Sequence, residues 1–295
     1  MNLKKIPFGI YEKALPNAFS WEEKFIAAKE AGFDYIEISI DESDERLERL
    51  DWSQEERNNL RNLASKHDIR ISSMCLSGHR RFPFGSRDIP TKNNAYEIME
   101  KAIQFALDLD IRIIQLAGYD VYYEKADNET KQRFIEGLKQ SVEWASRASV
   151  MLAIEIMDTE FIGTITRAKE YIDLINSPWL KVYPDLGNLS RWTSNPSDEL
   201  QLGKKHIVAI HIKDTKPGIF KCVPFGEGTV DFVKLFNTLK HISYKGPFLI
   251  EMWADNNKEY TIEEAIQEIK EARYWALDKM NQGGFHGENV YYGQN

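Results

Sequence analysis

Short β-branched runs alternate with longer amphipathic segments from one end of the chain to the other, and this alternation limits the fold more than any other feature. The runs are "PFGIYEKAL" (7–15), "FDYIEISI" (33–40), "IRISSMCL" (69–76), "IRIIQLAG" (111–118), "MLAIEIM" (151–157), "LKVYPD" (180–185), "IVAIHIK" (207–213) and "PFLIEMW" (247–253). Helices are predicted over 20–32, 53–67, 91–109, 128–149, 164–176, 197–205, 229–242 and 259–281. Two of them open with a capping box, Ser20 with Glu23 and Ser53 with Glu56, in which side chain and backbone satisfy each other's free N–H groups. Strict alternation of strand and helix means parallel strands joined by crossovers. Eight such units in 295 residues match a closed α/β barrel, the (β/α)8 or TIM barrel, which typically takes roughly 250 residues. An open doubly wound sheet would usually carry a Gly-rich phosphate loop after its first strand, and "FGIYEKALPN" has none. No Ser/Gly-rich linker, low-complexity block or charge run interrupts the pattern, so residues 1–295 are expected to form one barrel domain.

Composition then removes several kinds of partner. The formal net charge of −8 repels nucleic acid at long range. No apolar run approaches the roughly 20 residues of a membrane span, and "MNLKKIPFGIYEKAL" lacks the apolar stretch of a secretory signal. Cys75 and Cys222 form no CxxC and no disulfide framework, which fits a reducing cytoplasm. The closing stretch "QGGFHGENVYYGQN" is expected to wrap the surface or meet a partner subunit.

Four strands each carry a polar residue that a buried strand would ordinarily avoid. Glu155 sits in "MLAIEIM", Asp185 ends "KVYPD", His211 lies in "IVAIHIKD" and Glu251 lies in "GPFLIEMW". Their separations are 30, 26 and 40 residues, each about one strand plus one helix. Consecutive strands five to eight therefore place one candidate metal ligand each near the C-terminal rim, where barrel enzymes keep their active sites. Any one of the four has an ordinary structural explanation. Together, three carboxylates side by side repel unless something neutralises them, and a divalent cation would do so. One nitrogen and three carboxylates suit Zn²⁺ or Mn²⁺, with Mg²⁺ or Co²⁺ as further options. A metal bound there could polarise a carbonyl, and the flanking Glu155 and Glu251 could move a proton on carbon.

Two loops on the same rim are basic. "SGHRRFPFGSRD" holds His79, Arg80, Arg81 and Arg87, and "KDTKPGIFKCVPFGEG" holds Lys213, Lys216 and Lys221. Positive loops on an acidic protein suggest an anionic ligand, most simply a phosphate. Solvated loops with local ion pairs account for them equally well. His79, Arg81, Lys216 and Lys221 are the candidate phosphate contacts. Glu37, in "YIEIS", is a candidate either for a sugar contact or for an ion pair inside the barrel.

The strings "AIEIMDTEFIGT", "YPDLGNL", "HIKDTKPGIFKCVPFGEGTVDF", "FLIEMW" and "SMCLSGHRRFPFGS" resemble the sugar-phosphate 3-epimerases of the xylose-isomerase-like barrel superfamily. The resemblance is to the L-ribulose-5-phosphate (L-xylulose-5-phosphate) 3-epimerases of ascorbate and pentose utilisation and their relatives labelled hexulose-6-phosphate isomerase. It implies one divalent metal on Glu155, Asp185, His211 and Glu251. It also implies two glutamates working from opposite faces of the substrate: one takes the C3 proton, a cis-enediolate forms, and the other returns a proton to the opposite face. Such enzymes tend to form dimers, so a homodimer is expected. An aldose–ketose isomerase on the same barrel, acting at C1 and C2, is the alternative. An abasic-site endonuclease would need a histidine-rich zinc cluster, whereas this chain has six histidines, of which only His211 stands at a strand end. A non-catalytic sugar binder would have little need of two opposed glutamates.

Overall fold

Within each run, side chains alternate between two faces, and the sequence makes one face β-branched and the other mixed. That pattern produces a sheet of eight parallel strands in the computed structural model, which describes residues 6–285. The strands are β1 Phe8–Tyr11, β2 Tyr35–Ile40, β3 Arg70–Leu76, β4 Ile113–Leu116, β5 Met151–Glu155, β6 Leu180–Tyr183, β7 Ile210–Ile212 and β8 Phe248–Ile250. Their order in the sheet is β6–β5–β4–β3–β2–β1–β8–β7. The remaining seam, between β6 and β7, is joined by isolated parallel bridges, Val182 to Ile207 and Asp185 to His211. The expected TIM barrel is therefore present, with β6 and β7 meeting through bridges rather than a ladder.

Ten helices accompany the strands among the described residues: α1 Trp21–Glu30, α2 Asp44–Leu47, α3 Gln54–Lys66, α4 Ile89–Asp108, α5 Asn128–Arg147, α6 Ile165–Ile175, α7 Leu186–Trp192, α8 Pro196–Gly203, α9 Phe232–His241 and α10 Ile262–Gln282. Both predicted capping boxes form, at Ser20 and Ser53, each stabilising its helix by about 1 kcal/mol relative to alanine. The first run stops being a strand at Tyr11, and Glu12–Ala14 turn into a 3-10 helix. The cause is Glu12, which is fully buried with Lys24, Arg46 and Arg49 around its carboxylate. The helix expected from residue 91 begins at Ile89, because Asp88 caps it and Pro90 occupies its first turn, where a missing N–H costs nothing.

The main core lies between the strands' outer face and the helices and includes Ile10, Ile36, Ile38, Ile114, Ile154 and Ile250. Inside the barrel, Tyr11, Tyr35, Cys75 and Leu249 form one apolar layer and Ala153, Tyr183 and Ala209 another. Tyr35 fills the centre and donates to Phe248 O at 3.0 Å. Gly9 is small for that reason: a Cβ there would stand 2.3 Å from the Tyr35 ring. The floor of the barrel is thus plugged by Tyr35. The closing tail largely falls outside the described residues, from 286 onward.

Candidate active site

Each of the four rim residues reaches the same point by a different local device. Glu155 is the last residue of β5, on the inner face opposite Ile154. Asp185 is the N-cap of α7 and accepts the Asn188 N–H at 2.6 Å. Gly187 follows because a Cβ there would meet the Lys213 carbonyl at 2.4 Å. His211 sits in the middle of β7. Glu251 follows β8, its N–H donating to Ile212 O at 3.0 Å. One side-chain donor atom from each of the four lies within 4.8 Å of all the others, and all four residues are buried.

Further side chains hold this group. His211 Nδ1 lies 3.2 Å from Glu155 Oε1 and 3.3 Å from Glu251 Oε2. Lys213, two residues along the same face of the chain, puts its ammonium 3.1 Å from Asp185 Oδ2 and 3.2 Å from Glu251 Oε2. The Gln115 amide donates to Glu155 Oε2. The Asn188 amide donates to Ile156 O at 2.9 Å, fixing the start of α7 against the end of β5. Lys213 and Gln115 carry the same signal as the glutamates: polar residues on the inward phase of an alternating strand.

Charge is unevenly shared among these groups. Burial pushes the Asp185 and Glu155 carboxyls up. Burial also opposes the Glu251 charge, but Lys213 and His211 overcome it and hold that carboxyl well below its usual range. The His211 imidazole is likewise disfavoured as a cation by burial, yet Glu37 and the two rim glutamates raise it. Asp185 Oδ2 and Glu251 Oε2 make no hydrogen bond, despite their nearness to Lys213. Two orphaned, buried carboxylate oxygens beside an imidazole and a third carboxylate form a donor set that fits a divalent cation. Glu155, Asp185, His211 and Glu251 are the residues that would hold it.

A cleft of about 210 Å³ rises from this point. Glu155 and Glu251 line it together with Lys13, Arg80, Lys213, Lys221 and Trp253, among others. The basic loops thus split. Arg80 and Lys221 face the cleft, whereas Arg81 turns outward to Asp44 Oδ1 at 2.6 Å, and Lys216 pairs with Glu227 at 3.4 Å. His79 is buried behind the rim, its Nε2 3.0 Å from Ala95 O and its ring 4.6 Å from that of Phe84. Glu37 is fully buried, and its Oε1 lies 2.9 Å from His211 Nε2, a contact inside the barrel. A larger cavity of about 410 Å³ adjoins the site under Trp253 and Trp275. It touches Lys213 and Glu251 but neither Glu155 nor the Arg80 loop.

Fold and site together define a class: an α/β barrel whose C-terminal rim gathers one imidazole and three carboxylates beside a cleft. Residues 25–272 match the model of the xylose isomerase-like TIM barrel family. The chain is 55% identical over 281 residues, 95% of its length, to the L-ribulose-5-phosphate 3-epimerase UlaE of Escherichia coli O157:H7 (strain EC4115), covering 97% of that protein. Its fold resembles D-psicose 3-epimerase from Clostridium cellulolyticum H10, with TM-score 0.76 at 16% identity over 93% of this chain and 99% of that one. It also resembles the zinc-bound IOLI protein, with TM-score 0.76 at 20% identity over 95% and 100% of the two chains. The chain belongs to the xylose isomerase-like TIM barrel family, among the L-ribulose-5-phosphate 3-epimerases, and is an enzyme of the carbohydrate epimerase class.

Proposed function

We propose that this epimerase interconverts L-ribulose 5-phosphate and L-xylulose 5-phosphate by inverting C3. The observation that carries the reading is that Glu155 and Glu251 line the same cleft, their donor atoms within 4.8 Å of each other and of the Asp185 and His211 donors. A divalent ion held by the four would polarise the C2 carbonyl and acidify the neighbouring C–H. Zn²⁺ and Mn²⁺ suit the donor set best, and Mg²⁺ or Co²⁺ would also be accommodated. One glutamate takes the C3 proton and the other delivers a proton to the opposite face, the roles exchanging with direction. Lys213 keeps Glu251 ionised between turnovers. The phosphate lies toward Arg80 and Lys221, which line the cleft, Arg80 with Glu42 3.5 Å away, whereas Arg81 and Lys216 are not among the residues lining it.

Among the described residues no helix is long and apolar enough to cross a membrane, and a small, charged sugar phosphate is a cytoplasmic metabolite, so that compartment is the one proposed. A homodimer is the assembly proposed, from the habit of similar barrels. Incubation with each ketopentose phosphate in deuterated buffer tests the reaction. Label at C3 supports epimerisation. Label confined to C1 or C2 would transfer the chain to the aldose–ketose isomerases.

A further inference from the structure

Glu37 is a buried carboxylate beside the site that the proposed reaction does not use. It comes from β2, on the far side of the barrel from β7, and is 0 % exposed. Its Oε1 lies 2.9 Å from His211 Nε2, and its Oε2 has no hydrogen-bond partner. A buried glutamate is retained only where a partner offsets the loss of hydration. The partner here is the imidazole, and the ring's two nitrogens face opposite groups: Nδ1 toward Glu155 and Glu251, Nε2 toward Glu37. Glu37 therefore cannot share an ion bound at the four-residue point, because the histidine ring stands between them. The Tyr183 ring, 4.4 Å from that of His211, backs the imidazole from a second direction.

We infer that Glu37 is a positioning residue: it accepts the Nε2 proton of His211 and so presents the Nδ1 lone pair to the metal. A neutral imidazole carries one proton, and whichever nitrogen keeps it cannot ligate. With Glu37 behind Nε2, the proton has an acceptor only on that side once an ion occupies the other. The carboxylate also fixes the plane of the ring and raises its basicity as a ligand, as outer carboxylates do at other histidine–metal sites. This rests on the metal reading above and adds a residue that touches neither substrate nor metal.

The test uses the full chain, stripped of metal with a chelator and titrated calorimetrically with Zn²⁺ and with Mn²⁺. Glu37→Leu keeps the volume and removes the acceptor; it should bind each ion about 10- to 100-fold more weakly. Glu37→Gln retains a neutral acceptor and should fall between Glu37→Leu and the wild type. In the wild type loaded with Zn²⁺, the ¹⁵N shifts of His211 should show the proton on Nε2. Folded Glu37→Leu binding both ions within about threefold of wild type would overturn the inference, since outer-shell carboxylates normally matter more. A wild-type His211 protonated on Nδ1 would overturn it too, whether or not any variant folds. Failure of the wild type to bind either ion would instead remove the metal reading beneath it.

Discussion

Single side chains decide what the rim can hold, and adjacent arginines show how sharply. Arg80 lies against the Tyr119 and Tyr122 rings, donates to Tyr119 OH at 3.1 Å and faces the cleft. Arg81 is exposed and paired with Asp44. A charged hydrogen bond stabilises by about 1.5–3 kcal/mol, so Arg80→Ala should raise KM for the phosphorylated ketose about 10- to 100-fold. KM for the unphosphorylated sugar should hardly change, and Arg81→Ala should alter neither. Equal effects of the two alanines in steady-state assays would refute this division. The sequence located the basic loop and pointed to Arg81 within it, whereas Arg80 is the arginine that lines the cleft, because a 3-10 turn over Ser77–Arg80, not legible in the sequence, sets which one faces inward. The same turn buries His79. Burial lowers its pKa to about 4, while the bond to Ala95 O partly offsets that. The folded state thus favours the neutral ring, and stability is complete above the unfolded value near 6.5. It should decline as pH falls from there to about 4, by up to about 3 kcal/mol. Urea midpoints compared at pH 7.5 and 4.5 should show this decline in the wild type and a flatter response in His79→Phe. Identical pH responses would mean the acid sensitivity comes from elsewhere.

At the scale of elements, the strands were legible because a period of two with β-branched outward residues is a strong local signal, and so were the long capped helices. Helix α7 was not: "DLGNL" reads locally as a turn, and only its place between β5 and β7 makes it helical, with Asp185 as both cap and rim ligand candidate. The long segment between β7 and α9 was likewise visible only as a basic loop. Its stem is closed by buried Asp214, whose carboxylate accepts the N–H groups of Thr215 at 2.9 Å and of Gly226 and Gly228 at 3.0 Å each. Gly228 has no room for a side chain, since a Cβ would fall 1.7 Å from Asp214 Oδ1. This one carboxylate therefore ties together the two ends of the loop that carries Lys216 and Lys221. Asp214→Ala should leave the N–H groups of Thr215, Gly226 and Gly228 without this acceptor, at about 1–3 kcal/mol for the buried Thr215 N–H and less for the two that water can reach, and open the stem. Limited trypsin digestion followed by mass spectrometry should find cleavage after Lys221 appearing well before any cut in the helices; Lys216 is followed by Pro217 and is not a tryptic site. A loop as resistant as in the wild type would show that Asp214 does not hold it.

For the whole molecule, the placement of the site coincides with the one strand seam, among the described residues, that is closed by isolated bridges rather than a ladder. Seven strand pairs run as parallel ladders, that of β2 and β3 with a register shift between Ile36 and Glu37, whereas β6 and β7 meet through isolated bridges. The hydrogen bonds there are Val182 N–H to His206 O at 3.0 Å, Val208 N–H to Val182 O at 3.1 Å and His211 N–H to Pro184 O at 2.9 Å. One of the two bridges joins Asp185 to His211, both candidate ligands. The spacing of one polar residue per strand was readable from the chain, but this seam was not, because strand pairing strength depends on how the closed sheet tilts and shears. An ion held by residues of β5, β7 and the ends of β6 and β8 would cross-link the seam from inside. Binding only the folded state stabilises it by about 4 kcal/mol at a thousandfold excess over the dissociation constant, and that stabilisation should be concentrated at the joint it spans. Hydrogen exchange should therefore slow at the amides of Val182, Val208 and His211 when Zn²⁺ or Mn²⁺ is added to stripped protein. Amides of the β2–β3 ladder, on the opposite side of the barrel, should gain little. Uniform slowing over both regions would mean that the ion raises global stability without closing this edge, and no slowing at the seam would place the ion somewhere other than the rim.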